Sequence, residues 1–363
     1  MKIGVITYHK ELSQGATFQA YATYRALREL GCDVEVIDLE RKTKSLRPKW
    51  QVMLINMYMS LANKRQKQFR LKFYPPYSKH YSNLSELQEN PPKIDAACVG
   101  SDQTWNIKIA TKEKMPAFFL DFGPENMPRF SYASSFGFSK WQIEDANETQ
   151  RIGDIMKNYI GLSVREVTGQ QILKEKFNLD ATLVCDPTIL HNNYDEFTKG
   201  LEQKNEVICY SLGVTKQPKL QAIQDISSFV GAPIRWVGKP FWVKGVRNTY
   251  FPDVYRWFRL LAGAKFILTD SFHGTVASLL CHKPFVVLYQ ENGLSSRIVD
   301  LLTIVGLQDR IFFSYEDFAK SDSWKQPIDY KEVDRRLGEY REKSWAYLRN
   351  VIEEISQQLE SKG

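Results

Sequence analysis

Short unbroken apolar runs alternate along this chain with segments of helical spacing. Ile3 to Thr7 is an apolar run of strand length. After the polar loop His9 to Gly15, the segment Thr17 to Leu30 sets Phe18, Tyr21, Tyr24, Leu27 and Leu30 at helical intervals. Gly31-Cys32-Asp33 then turns the chain into Val34 to Asp38. Strand, helix, strand in this order predicts the βαβ opening of a doubly wound sheet. Ala96 to Val99, Phe130 to Ala133, Leu162 to Glu166 and Thr182 to Cys185 read as further strands, with a helix from Thr168 to Phe177. At Val207 to Leu212 the alternation restarts and runs through Pro218 to Val230, Ile234 to Val237 and Pro252 to Ala262. Ser295 to Val305 and Asp334 to Leu359 read as helices, the last long enough to cross back over the first half. The expected architecture is α/β: residues 1–188 and 189–332 as two Rossmann-like domains, joined near Asp186 to Asn193, and 333–363 as a returning helix.

The second half is organised around Phe266 to Leu288. Phe266-Ile267-Leu268 leads through Thr269 to Gly274 into the helical Thr275 to Leu280; Lys283-Pro284 breaks that helix, and Phe285 to Leu288 is the next strand. In a parallel sheet such a turn lies at the carboxyl edge, where an opening helix offers unpaired N–H groups to an anion. Asp270, Ser271, His273 and Thr275 therefore crowd a natural phosphate seat, with Gly274 expected to let the backbone approach a ligand. His273 adds an imidazole that exchanges protons near neutral pH. The structural alternative is a helix cap made by Ser271 or Thr275.

A second cluster, Gly100-Ser101-Asp102-Gln103-Thr104-Trp105-Asn106, follows the strand Ala96 to Val99. Its hydroxyls and amides suit a sugar, and Trp105 offers an apolar face; a loop merely closed by Asp102 and Asn106 is the alternative.

Composition narrows the classes. With 363 residues, 43% hydrophobic and 25% charged, the chain suits two soluble domains. No apolar run reaches the roughly 18 residues of a membrane span, and the start shows no secretory pattern, so a cytoplasmic protein is expected. The five cysteines form no paired motif and suit reduced core positions. The loop after the first strand lacks the GxGxxG spacing, so no nicotinamide or flavin is expected, and no cofactor or metal is called for. The net charge of +7 is uneven: Arg41 to Lys72 holds ten Lys and Arg and no Asp or Glu around the apolar Val52 to Met59. This pattern fits peripheral contact with an anionic membrane, or a solvated helix packed on the domain; no nucleic-acid motif accompanies it.

The opening IGVITYHKELSQGATFQAYAT, the segment VGSDQTWN, the pair LSVRE and VCDPTIL, and TDSFHGTVASLLCHKP with SSRIVDLL resemble the polysaccharide pyruvyl transferase family from the first strand to about Arg310. The resemblance implies a GT-B-like pair of domains facing a cleft, with transfer of pyruvate from phosphoenolpyruvate to a sugar or its lipid-linked precursor. In that chemistry His273 is the expected acid, and Asp102 or Asp270 the group that orients or deprotonates the acceptor hydroxyl. Ser271, Gly274 and Thr275 would hold the donor; His9, Gln103, Trp105 and Asn106 would face the acceptor. Many members carry Arg-Leu-His where this chain has Ser271-Phe272-His273, so the donor's cation must come from elsewhere, with Lys216, Arg235, Lys239 and Arg297 as candidates. Arg165 and Glu166 match the family's VRE and are expected as a structural ion pair. The competing readings are a nucleotide-sugar glycosyltransferase with Glu291 at the ribose, and a non-catalytic glycan-assembly protein docking through Arg41 to Lys72.

Overall fold

The structure is a computed structural model that describes residues 1–10, 13–40, 60, 63–110, 113–212, 217–238, 243–289 and 296–361. Lys216, Lys239, Glu291 and all of Arg41 to Met59 lie outside the described residues.

Two parallel sheets carry the chain. The first contains β1 (Lys2–Ile6), β2 (Asp33–Leu39), β3 (Tyr77–Tyr81), β4 (Ala96–Val99) and β5 (Arg129–Ser131) in the order β3-β2-β1-β4-β5. A two-stranded ladder of β6 (Ser163–Val164) and β7 (Thr182–Leu183) follows, joined to the first sheet by bridges from Gly161 to Phe130 and Val164 to Ser134. The second sheet contains β8 (Val207–Ser211), β9 (Ile234–Gly238), β10 (Arg247–Tyr250), β11 (Phe266–Thr269), β12 (Phe285–Leu288) and β13 (Ile311–Phe312) in the order β10-β9-β8-β11-β12-β13. Both orders reverse beside their first strand, between β1 and β4 and between β8 and β11. Those crevices are where ligands bind in such sheets. Central strands read as unbroken apolar runs because helices cover both faces: every residue of β4, β8, β11 and β12 is buried. The edge strands β3 and β10 read Tyr-Ser-Lys-His-Tyr and Arg-Asn-Thr-Tyr, polar sequences whose half-exposure hides them from a hydrophobicity pattern.

The opening helix spans Gln14–Glu29 and starts before the expected Thr17. Gln14, Gly15 and Ala16 carry no apolar spacing, yet all three are buried where the first half meets the second. Gln14 Nε2 donates to the Pro252 carbonyl (2.8 Å), and Tyr210 Oη donates to Gln14 Oε1 (3.3 Å). One turn on, Phe18 packs on Trp257 and Phe258 with ring centroids 5.5 and 5.4 Å apart. Burying such a ring stabilises by about 1.5–3 kcal/mol, so this helix fastens the halves together.

The final helix, Tyr330–Glu360, begins where Asp329 accepts from the N–H groups of Lys331 and Glu332. It crosses back to the first half. Tyr340 Oη donates to the Val184 carbonyl, Ser344 Oγ accepts from Cys185 N, and Tyr347 Oη donates to the Ser131 carbonyl, each at 2.8 Å. Among the described residues no helix is long and apolar enough to cross a membrane.

Candidate functional site

The turn after β11 is built by its own side chains. Thr269 Oγ1 donates to the Tyr210 carbonyl (2.8 Å) and accepts from Ser271 N (3.1 Å). Ser271 is the N-cap of helix Phe272–Leu280, its Oγ accepting from Gly274 N at 3.3 Å, while Thr275 Oγ1 donates back to the Ser271 carbonyl. Gly274 has a packing reason of its own. A β-carbon there would stand 2.4 Å from Thr269 Oγ1 and 2.9 Å from the Tyr210 ring, so its bareness lets the helix seat on the sheet.

Asp270 is not free to act as a base. Its Oδ2 accepts from Lys219 Nζ (2.6 Å) and Ser211 Oγ (2.9 Å), and its Oδ1 accepts from Leu212 N (2.7 Å). This buried carboxylate ties the end of β8 to the helix Gln217–Val230.

His273 is 7% exposed and sits where the halves meet. Its ring lies against Gly15, whose β-carbon, if present, would be 2.3 Å from Nδ1. Its Nε2 is 3.7 Å from Asp186 Oδ2 and makes no hydrogen bond among the described residues. Asp186 follows β7 and caps the short helix Pro187–Leu190, with Oδ1 accepting from Thr188 N and Thr188 Oγ1. Its Oδ2 accepts from Arg165 Nη1 (2.5 Å) and Ser101 Oγ (3.1 Å). Burial alone would raise this carboxyl's pKa, but His273 and Arg165 hold it well below the usual carboxylate range.

Arg165, fully buried, is the hub of the first half's contribution. Beyond Asp186 it donates to Asp102 Oδ1 (3.2 Å) and Ser101 Oγ (3.2 Å), while Glu166 Oε2 is only a distant 3.8 Å from Nε. The ion pair expected between Arg165 and Glu166 is thus chiefly a pair with Asp186 and Asp102. Asp102 sits in the left-handed region at φ 74°, a strained place for a residue with a β-carbon. Burial raises its pKa, but Arg165, then His273 and Arg297, bring it below its ordinary value. It is a salt-bridged acceptor, poorly suited to taking a proton. Glu166 goes the other way: burial pushes its carboxyl up against the pull of Arg165 and Arg297.

Phe272 lies between two cations. The guanidinium carbons of Arg165 and Arg297 are 5.0 and 5.8 Å from its ring centroid. Both arginines line a cavity of about 170 Å³ together with Asp186, Phe272, Asp300 and Tyr340. Burial, then repulsion from Arg165, lowers the Arg297 pKa. No hydrogen bond or ion pair within 4 Å joins Arg297 to any other described residue; Glu166 and Asp102 act on it only at longer range.

Other expected site residues fall elsewhere. Trp105 is 1% exposed, stacks on Phe119 and donates from Nε1 to the Phe118 carbonyl, so its indole is core and presents no face to a sugar. Asn106 donates to Gln103 Oε1 (2.5 Å) and accepts from Lys108 N, closing the loop as the structural alternative had it; the Gln103 amide lies over bare Gly137. Arg235 is second in β9, at the amino end of the strand, where Glu206 takes two of its N–H groups and Thr249 another. That is the wrong edge of the sheet for the donor. His9 is buried beside Asp38 at the ends of β1 and β2, near the exposed Lys10 and half-buried Tyr77, its Nδ1 on the Thr7 carbonyl and its Nε2 3.6 Å from Asp38. Asp186 and Phe272 were missed as site residues. The available signals were the Asp-Pro-Thr at a strand end and the position between Ser271 and His273.

Two Rossmann-like sheets, joined by a returning helix and with charged groups at both switch points, define a GT-B-like architecture. Solved structures share this fold. The UDP-GlcNAc 2-epimerase of Methanocaldococcus jannaschii has a TM-score of 0.51 at 14% identity, covering 92% of this chain and 98% of its own. The spinosyn forosaminyltransferase SpnP has 0.52 at 12% over 98% and 99%, and the avilamycin glycosyltransferase AviGT4 has 0.50 at 11% over 98% of each chain. No curated protein matches the sequence. The chain belongs to the polysaccharide pyruvyl transferase family, whose model matches residues 15–292.

Proposed function

We propose that this transferase moves pyruvate from phosphoenolpyruvate to a sugar of a cell-surface polysaccharide or of its lipid-linked precursor. The observation that carries the reading is Arg297: a cation lining the cavity, without a carboxylate among the described residues in bonding distance, beside a second arginine. A donor with a carboxylate and a phosphate supplies the missing anions. Arg297 takes the place of the arginine that Ser271 lacks, and the donor side draws on both halves, with 1–188 adding Arg165 and Asp186 to the 189–332 unit. His273 gives its proton to the methylene carbon of the enol, which becomes a methyl. The acceptor oxygen bonds to the adjacent carbon, and its proton returns to the imidazole, whose counter-ion is Asp186. A second hydroxyl then attacks the same carbon; the carbon–phosphate oxygen bond breaks, and phosphate leaves with that hydroxyl's proton. Work at the inner face of the membrane fits the helix at 63–73, which exposes Lys64, Lys67, Lys72 and a 73% exposed Leu71.

The test is release of inorganic phosphate from phosphoenolpyruvate with candidate sugars, in the parent, Arg297→Ala and Arg235→Ala. Arg297→Ala should raise KM for phosphoenolpyruvate by roughly 10- to 100-fold, the worth of a charge-assisted bond, while Arg235→Ala should leave it unchanged. No phosphate release from the parent, with a melting-temperature shift from a nucleoside diphosphate instead, would favour a nucleotide-sugar donor.

A further inference from the structure

Glu166 stands just past β6 and is 1% exposed, yet neither of its carboxylate oxygens makes a hydrogen bond among the described residues. Arg165 Nε is 3.8 Å from Oε2, and that N–H is itself unbonded. The position is the N-cap of the helix Val167–Phe177, but the side chain makes no capping bond. Asp300 of the second half serves that helix instead, its Oδ2 accepting from Val167 N at 3.4 Å. A buried carboxyl with two bare oxygens is costly, so its place in the fold calls for a reason.

The charged groups around it supply one. Arg297 and Asp300 lie one turn apart at the start of the helix Ser296–Val305 and act on Glu166 with opposite sign. Arg165 on its own segment and the Ser135 hydroxyl after β5 favour the ionised carboxyl, as Arg297 does. Burial outweighs the three and pushes the carboxyl up, and Asp300 adds to it. Tyr340 of the final helix also faces this group, its hydroxyl committed to the Val184 carbonyl. The ionised form of Glu166 thus depends on two guanidiniums, and the same two line the cavity at the interface of the halves. An anion bound there engages both and adds negative charge of its own. Each change disfavours the carboxylate and favours the neutral acid, which needs no counter-ion when buried.

We infer that Glu166 is a proton-coupled positioning residue: it balances Arg165 and Arg297 in the free protein and takes up a proton from solvent when a bound anion replaces it. The inference rests on the proposed anion seat at Arg297, but not on phosphoenolpyruvate as its occupant. The sign follows from the direction of the change. The complex binds more protons than the free protein, so an anion of fixed charge binds best at low pH. Its affinity weakens as pH rises above the ordinary glutamate range, by at most about tenfold per pH unit.

Titration calorimetry in two buffers of different ionisation enthalpy counts the protons taken up on binding. The probes are inorganic sulfate, whose charge is fixed near neutral pH, and phosphoenolpyruvate, whose own ionisation is common to every protein compared. The proteins are the parent, His273→Gln and Glu166→Gln. Glu166→Gln should fold, because neither Glu166 oxygen holds a bond; Glu166→Met, apolar and of similar length, is the second variant. With sulfate, the parent and His273→Gln should take up as much as about one proton, and the two Glu166 variants none. Glu166→Gln should also bind sulfate roughly tenfold more tightly than the parent at about pH 8, the two converging as pH falls. A carboxyl that only supports the fold would change the melting temperature on replacement and leave the proton count as it was. A parent that binds sulfate without a proton, or Glu166 variants that take up as much as the parent, overturns the coupling, and phosphoenolpyruvate turnover would then still uphold the donor. Uptake through Glu166 in a parent that neither binds nor turns over phosphoenolpyruvate supports the coupling and overturns the donor. A parent that binds neither anion overturns both.

Discussion

The imidazole of His273 rests on the bare α-carbon of Gly15, so close that a β-carbon at position 15 would stand 2.3 Å from Nδ1. The two residues open helices that follow strands of different sheets, and the contact makes the opening helix a wall of the candidate site as well as a clasp between the halves.

Gly15→Ala should therefore act on function more than on fold. Overpacking of this kind costs about 1–3 kcal/mol, and the ring must shift from its place beside Asp186. A misplacement of about 1 Å can cost roughly 10²-fold in rate. The expected outcome is a kcat reduced by about that factor with a melting temperature lowered by only a few degrees. Parent-like kcat would show that the ring position is immaterial.

Replacing His273 by Gln keeps a hydrogen-bonding group and removes the titrating proton. General acid assistance is worth roughly 10²- to 10⁴-fold, so transfer should slow by that much while KM for phosphoenolpyruvate changes little. Phosphate release at the parent's rate would place the proton on another group, and His9, paired with Asp38, would be the next variant.

The organising turn was legible because strand, cap and helix are neighbours in sequence, and Ser271 does cap as residue type suggests. The partner of His273 was not legible, since Asp186 reaches it only after the two halves close. Arg235 and Arg297 look alike as isolated cations near apolar runs. Only the sheet shows that Arg235 is at the amino end of β9, neutralised by Glu206, while Arg297 opens onto a cavity. Trp105 misled for a related reason: an aromatic in a polar loop suggests a sugar platform, but the loop folds over it and its N–H finds the Phe118 carbonyl. The polar edge strands β3 and β10 escaped notice because one side of each lacks a neighbour to bury it.

Asp186 and Asp102 give the fold an acid limit. Both have folded-state pKa values below the ordinary carboxylate value, so the stability they add is full above about pH 4 and is lost as pH falls toward their folded values. Melting temperature should hold from neutral pH down to about pH 4 and then drop. Asp186→Asn should be less stable at pH 7, because Arg165 and His273 lose their main counter-charge, and its acid slope should be shallower than the parent's. Parallel curves for the two proteins would show that Asp186 does not carry the acid transition.

The helix at 63–73 offers a test of membrane contact that needs no enzyme assay. Phe69 and Gln66 are buried, facing the domain, while Lys64, Lys67, Leu71 and Lys72 face outward. Leu71, 73% exposed, stands among three lysines, and anionic lipid offers both an apolar layer and negative charge to match them. The protein should float with anionic vesicles at low salt and stay behind with neutral ones. Attraction to headgroups is screened over about 8 Å at physiological ionic strength, so flotation should weaken as salt rises. Reversing Lys64, Lys67 and Lys72 to Glu should abolish it without changing turnover of a water-soluble acceptor, because none of the three lines the cavity between the halves. Flotation that survives the triple reversal would assign the contact to another surface, and no flotation at low salt would leave Leu71 as an ordinary exposed residue.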